Sequence, residues 1–215
     1  FIKPNMTFAR NEIKFMNEVK YDYAWRRSTG RPVGEHFVYV VDHLVYDQAE
    51  ADKLNASNEG AGYQPWGNLF PGDVVYKDLN KDGKIDSDDR THRGYPRTPE
   101  IQFGLPMGFQ YKGFDFTLLL QGATRSSILL DGAAVYDFPS FGQDQIGKVK
   151  ALHLNRWTEA TKDYATYPRL TYGANQNNKN SQSSMALFDG TYLRVKNIEI
   201  GYSLSRKSLR FANLQ

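Results

Sequence analysis

The 215-residue chain contains no cysteine, which removes disulfides, thiolate metal sites and cysteine nucleophiles together. No stretch approaches the ~20 apolar residues that a membrane-spanning helix requires. A β-barrel stays open, because each of its strands needs only ~9–11 residues of alternating character. Charge of one sign is also scarce. The net formal charge is +3 and Lys and Arg are scattered, so no nucleic-acid partner is expected. No G-x-S-x-G, P-loop or H-E-x-x-H occurs. The acidic residues outside one loop supply no pair of the kind glycoside hydrolysis needs. His36, His43, His92 and His153 lack the spacing of a metal site, and the chain is not expected to be an enzyme.

Aromatic residues, by contrast, make up 14% of the chain, which favours β-structure, where flat rings cover a pleated, half-buried surface. The clearest element lies in residues 101–124. Ile101, Phe103, Leu105, Met107, Phe109 and Tyr111 recur at strict two-residue spacing. Gln102, Gly104, Pro106, Gly108 and Gln110 alternate with them. Successive side chains of a strand point to opposite faces, so this is a strand. Lys112-Gly113 reads as a tight turn, after which Phe114, Phe116, Leu118 and Leu120 resume the pattern. A lipid-facing barrel wall and the core face of a soluble sandwich would both read this way.

A further strand is expected over 191–204. Leu193 and Val195 share one face and Ile198, Ile200, Tyr202 and Leu204 the other, so the change of phase marks a bulge or a crossing. Residues 37–46 read as one strand, 48–54 as a short helix, and 60–72 as a loop rich in Gly, Pro and aromatics. Residues 1–9 look extended, 11–18 helical, and 208–214 like the start of another strand. Residues 125–189 are long, polar and irregular. Within them 144–157 suggests an amphipathic helix with Ile146, Val149, Leu152 and Leu154 buried, and the Asn/Gln/Ser-rich 175–184 an exposed loop. So long an irregular stretch is uncommon in a compact soluble domain and usual on the outer side of a barrel, which favours the barrel. Trp157, Tyr164 and Tyr167 are read as packing locally, as loop aromatics of a Tyr-rich chain usually do, with stacking on sugar as the alternative. Arg26, Arg27 and Arg31 read as a solvated basic rim.

One motif is sharp. Residues 78–89, DLNKDGKIDSDD, fit a twelve-residue calcium loop. Asp78, Asn80, Asp82 and Asp86 take ligand positions 1, 3, 5 and 9, and Lys84 offers its main-chain carbonyl at position 7. Gly83 stands where the sharp turn needs a residue without Cβ, and Ile85 is the apolar anchor. Asp89 closes the loop where a longer glutamate is usual. A structural Ca2+ is the expected cofactor, and a self-capping acidic turn is the alternative.

Several motifs then fall in one order. Residues 71–86, PGDVVYKDLNKDGKID, resemble the "PGD-x-x-Y-x-D-x-N-x-DG-x-ID" signature of SusC/RagA-type proteins. Gly94-Tyr95-Pro96-Arg97-Thr98-Pro99-Glu100 and the strand with Gly104 and Gly108 follow, then Tyr111-Lys112-Gly113-Phe114-Asp115 and Leu120-Gln121-Gly122. Arg156-Trp157-Thr158, Tyr167-Pro168-Arg169-Leu170 and residues 189–198, DGTYLRVKNI, complete the series. Upstream, Gly30-Arg31-Pro32-Val33-Gly34 is similar to the short turn preceding that family's "G-Y-x-x-D-G" strand, but there Tyr39, Asp42 and His43 stand in this chain and the usual glycine is replaced.

The resemblance implies an all-β fold: part of a large antiparallel transmembrane β-barrel of the TonB-dependent transporter type, with long extracellular loops and short helical insertions. Such barrels have about 22 strands around a plug. Residues 1–215 would be its carboxy-terminal portion, a fragment without plug or TonB box, with 78–89 a cation loop inside an extracellular loop. The loops of 34–94 and 125–189 would face outside. Implied with it are the outer membrane of a Gram-negative, Bacteroidetes-like cell and contact with its lipid. So are energy from the TonB system, a SusD-like surface lipoprotein as lid, and an oligosaccharide or peptide as cargo. The competing reading is a secreted, calcium-stabilised β-rich carbohydrate-binding or scaffold module.

Overall fold

A computed structural model describes residues 1–131, 149–171, 175–180 and 182–204. The chain divides into two units, one formed by Phe1–Asn11, Tyr95–Ser127 and Asp189–Gln215, the other by Glu12–Gly94 and Ile128–Phe188.

In the first unit, period-two alternation becomes a four-stranded antiparallel sheet in the order β1-β6-β7-β10. Its strands are β1 (Asn5–Phe8), β6 (Ile101–Tyr111), β7 (Phe114–Thr124) and β10 (Tyr192–Tyr202). Lys112 and Gly113 have φ of +47° and +87°. That is the two-residue turn whose twist matches the strands it joins. Register sets Phe103 against Gly122, Leu105 against Leu120, Met107 against Leu118 and Phe109 against Phe116. On the flanks, Met6 and Phe8 pair with Phe103 and Ile101, and Ile198 and Ile200 with Leu118 and Phe116. The expected bulge is present, as a register shift between Val195 and Asn197. Its effect differs from the expectation. The extra residue, Lys196, restores the phase, so Leu193 and Val195 end on the same face as Ile198, Ile200 and Tyr202. One apolar face therefore runs unbroken across all four strands.

The second unit has its own core. The segment expected as one strand breaks at Val40 into β2 (His36–Tyr39) and β3 (Val41–Leu44), which pair with β5 (Arg90–Arg93) and β4 (Val74–Tyr76) respectively. Strand β4 is covered on both sides, because successive side chains alternate. Val74 and Tyr76 join Tyr39 and Ile85, whereas Val75 joins Val45, Ala51 and Leu69. The short helix forms as expected: α1 (Gln48–Asn55) starts at Asp47, whose carboxylate accepts the Glu50 N–H at 2.9 Å. Such a cap satisfies one of the orphan donors of the first turn. A separate ribbon pairs β8 (Ser127–Leu129) with β9 (Leu187–Asp189).

Three expectations are corrected here. Residues 11–18 are not helical; the Ile13 N–H and C=O pair instead with Arg31 and Gly30. Over 144–157 the described part forms only a 3-10 turn, Ala151–Asn155, in which His153 is buried and Leu154 exposed; Val149, ahead of it, is exposed too. The polar 175–184 stretch is no exposed loop. It includes a short helix, α2 (Gln176–Lys179), and buries Asn177, Asn178, Lys179, Asn180 and Ser183. Residues 208–214 and 144–148 lie outside the described residues.

Candidate functional sites

The apolar face of the first unit is the larger of two candidates. Val195 is 55% and Ile200 69% exposed, and Met6, Phe8, Phe109, Tyr111, Leu193, Ile198 and Tyr202 are likewise open. A contiguous apolar surface of this kind marks a contact with something other than water. The opposite face is mostly small and polar, interrupted by Leu119 against Pro106 and by Tyr192 against Ala123. Gly104 pairs with Gln121, Gly108 with Thr117 and Gln110 with Asp115, and Arg194 donates to the Gln121 amide oxygen at 2.9 Å. Eleven residues at ~3.4 Å each cover ~34 Å, and a tilt of ~45° reduces that to about the ~25 Å height of an outer-membrane apolar band. Aromatic rings gather at the Lys112-Gly113 end: Phe109 lies 5.9 Å from Phe114 and 5.6 Å from Phe116, with Tyr111 opposite Phe114 and Tyr202 beyond it. Aromatic girdles occupy this position at a membrane interface.

The second candidate is the acidic loop. Asp78 accepts the N–H groups of Lys81, Asp82 and Gly83 at 2.5–3.2 Å. Asn80 accepts from Asp82 at 3.1 Å, and Asp82 from Lys84 at 3.2 Å. Gly83 has φ +86°, the left-handed region that the motif reserves for glycine. Ile85 is buried and its N–H reaches the Tyr63 carbonyl at 2.8 Å, so it anchors the loop to the core. Asp89, wholly buried, binds the N–H groups of Leu79 at 2.7 Å and Asp86 at 2.9 Å. Burial pushes the Asp89 carboxyl above the usual range, against the pull of its main-chain donors. The Lys84 ammonium lies 3.2 Å from Asp86 and 3.9 Å from Asp82, and Asp86 raises its pKa.

The six residues thus share one loop, in oxygen-donor chemistry suited to a hard cation. The carboxylates are nevertheless turned onto main-chain N–H groups. In this arrangement no three His, Asp or Glu side chains among the described residues stand together as a ready-formed metal group.

Other residues find structural partners. Trp157 lies on Gly72, where a Cβ would stand 2.7 Å from its ring, and Tyr167 packs on His153 at 5.1 Å; Tyr164 stays exposed. Arg26 is no solvated rim residue: it pairs with Asp88, while the Trp25 indole donates to the Asp88 carbonyl at 2.8 Å. His92 faces Glu35 at 3.4 Å.

Sequence reasoning missed the buried hub at Asp73. Its carboxylate takes Arg169 Nε at 2.6 Å and a second Arg169 nitrogen at 3.1 Å. It also takes Asn178 at 2.8 Å, Asn175 at 3.2 Å and the Phe70 N–H at 2.9 Å. The Asn178 oxygen accepts the Val74 N–H, and Gln64 joins Asn177 to the Val74 carbonyl and Tyr76 N–H. Side-chain amides thereby do for β4 what a neighbouring strand would do. The juxtaposition of PGD with YPRL in the motif series was the available signal.

No family model matches the chain. It is 28% identical over 149 residues to TonB-dependent receptor P3 of Formosa agariphila, covering 69% of this chain and 14% of that protein. Among solved structures it is similar to the RagAB peptide transporter, with a TM-score of 0.64 and 18% identity over 99% of this chain and 21% of the other. The RagAB peptide importer in its open-open state gives 0.58 and 16%, over 97% of this chain and 20% of that one. The chain thus spans about a seventh to a fifth of the proteins it matches. The resemblance to SusC/RagA-type, TonB-dependent proteins read from the motifs is borne out in sequence and in fold.

Proposed function

We propose that the chain is part of a TonB-dependent outer-membrane transporter of the SusC/RagA type, its four-stranded sheet serving as a section of barrel wall. The observation that carries this reading is the unbroken apolar face of β1, β6, β7 and β10 backed by a mostly small and polar one. Lipid would cover the first face and a plugged, water-accessible lumen would meet the second. In this reading the partners are a SusD-like lipoprotein and the TonB system, and the cargo is an oligosaccharide or a peptide. The RagAB comparison, a peptide transporter, weights the cargo toward peptide.

The test is fractionation of cells that make the full-length protein, followed by detergent extraction and pull-down. Recovery from the outer membrane with a co-purifying lipoprotein is expected. Recovery as a soluble, unpartnered protein would overturn the reading in favour of a secreted, calcium-stabilised module.

We also propose that Asp78, Asn80, Asp82, Asp86, Asp89 and the Lys84 carbonyl hold a structural Ca2+, which would replace the Lys84 ammonium as counter-charge to Asp82 and Asp86. Calcium should raise the Tm of the full-length protein relative to EGTA, and Asp78→Asn with Asp82→Asn should remove the rise. An unchanged Tm in the unsubstituted protein would refute the site.

A further inference from the structure

The end of the apolar face opposite the aromatic hairpin is built differently. Glu100, just ahead of β6, is 4% exposed and is gripped by Arg10 through two bonds, Nε at 2.7 Å and a terminal nitrogen at 2.9 Å. Arg125, just past β7, approaches the same carboxylate at 3.6 Å. Main-chain bonds from Ala9 to Glu100 (2.9 Å) and from Glu100 to Arg125 (3.2 Å) tie the three segments together. One carboxylate therefore positions two guanidinium groups. Both remain substantially open, Arg10 at 52% and Arg125 at 43%, with N–H groups to spare beyond those on Glu100.

Arg125 has φ +56°, a conformation that a non-glycine residue keeps only where its surroundings over-determine it. Its guanidinium stands 6.0 Å from the Phe8 ring. Because Phe8 pairs with Ile101, that ring belongs to the apolar face, so the cation caps the upper edge of that face. The Thr124 and Thr191 hydroxyls meet there at 3.1 Å. Arg97, exposed on the segment leading into β6, adds a third cation at this end, where its carbonyl takes the Ser126 hydroxyl at 3.5 Å. One further carboxylate, Asp189, is turned onto the Thr191 N–H at 2.9 Å.

We propose that this rim is a binding site for the phosphate of a membrane lipid, with Arg125 and Arg10 as the phosphate-binding groups and the apolar face below Phe8 as the bed for the acyl chains. The inference rests on the barrel-wall reading. Guanidinium forks match phosphate oxygens in geometry as well as charge. Cations stationed where an apolar band ends lie at headgroup depth. The lipid, rather than a free phosphate, is the occupant because the cations are continuous with an apolar face that a free ion would leave uncovered.

The test uses the full-length protein, delipidated in detergent and titrated in native mass spectrometry. The probes are phosphatidic acid and diacylglycerol with the same chains. The protein should retain phosphatidic acid over diacylglycerol. Arg125→Gln leaves the Arg10–Glu100 pair in place and should lower that retention about fivefold. Equal retention of the two lipids, or an unchanged Arg125→Gln protein, would overturn the proposal. Displacement of the lipid by millimolar inorganic phosphate would also overturn it, by showing a free-anion site. A separate variant, Ile200→Trp, keeps the two readings apart through quenching by brominated lipid. Quenching together with an unaffected Arg125→Gln protein sinks the lipid site alone. Absence of quenching removes the barrel wall and the lipid site together.

Discussion

Removing the Asp73 carboxylate should loosen the fastening between β4 and the 169–180 segment more than any surface change in the second unit. Asp73 is fully buried and accepts five hydrogen bonds, two from Arg169 and one each from Asn175, Asn178 and Phe70. In Asp73→Ala the buried Asn178 amide loses its short bond and keeps only the 3.4 Å one to the Arg169 carbonyl, and the Arg169 charge loses its partner. Breaking a buried pair by deleting one member costs ~3–5 kcal/mol. Arg169 is 31% exposed and water can take over part of its solvation, so the lower end, ~3 kcal/mol, is expected. Hydrogen–deuterium exchange on the full-length protein reads this locally. The Val74 amide, which donates to Asn178, and the Arg169 amide, which donates to the Gly72 carbonyl at 2.9 Å, should exchange roughly a hundredfold faster, since ~1.4 kcal/mol is a factor of ten. Asp73→Asn keeps the shape without the charge and should fall between. A double-mutant cycle with Arg169→Ala decides the argument: additivity within ~0.5 kcal/mol would mean that the pair is not coupled and that the fastening lies elsewhere.

Three further outcomes follow from the same geometry. Ile198→Arg, on the exposed apolar face, should cost ~2–4 kcal/mol in lipid bilayers, whereas Glu199→Gln on the polar face should be nearly neutral; equal effects in folding titrations would refute the assignment of faces. Gly72→Ala should destabilise sharply, because φ is +83° and the new Cβ would stand 2.7 Å from the Trp157 ring. Trp157→Ala in the same chain should restore part of the lost Tm. Burial, then repulsion from Arg31, holds the His92 pKa below its ordinary value, with Glu35 opposing. Stability is therefore complete above about pH 6.5 and falls below it, because the unfolded ring takes up a proton that the folded one refuses. The slope is at most ~1.4 kcal/mol per pH unit until the folded value is passed. His92→Phe should flatten that part of a Tm–pH curve, and an unchanged curve would show that His92 is not its source.

Local pattern was enough wherever the physics is local. Strict alternation in Ile101–Tyr111, the Lys112-Gly113 turn, the slip of phase near Lys196 and the short helix after Asp47 were all legible, because pleat, positive φ and helix propensity act over neighbouring residues. The order of motifs, itself a property of sequence, pointed to the SusC/RagA resemblance. The composition of residues 175–184 read as solvent-exposed, yet the tertiary structure buries those amides against β4. Their partners lie more than a hundred positions away, as with Gln64 and Asn177 or Val74 and Asn178, and no window of sequence carries that distance. The break at Val40 has the same origin: two facing strands, β5 and β4, compete for one segment and each takes half. The cluster of Arg10, Glu100 and Arg125 was equally hidden, since the three meet only once β1, β6 and β7 pair. Sequence determined where side chains alternate and which turns are tight, because those depend on a residue and its neighbours, whereas the pairing of β10 with β7 decided that Leu193 and Val195 share a face with Ile198 and Ile200. Only the folded chain decided which polar groups are buried together, because a buried charge or amide is tolerable only where distant segments supply its partners.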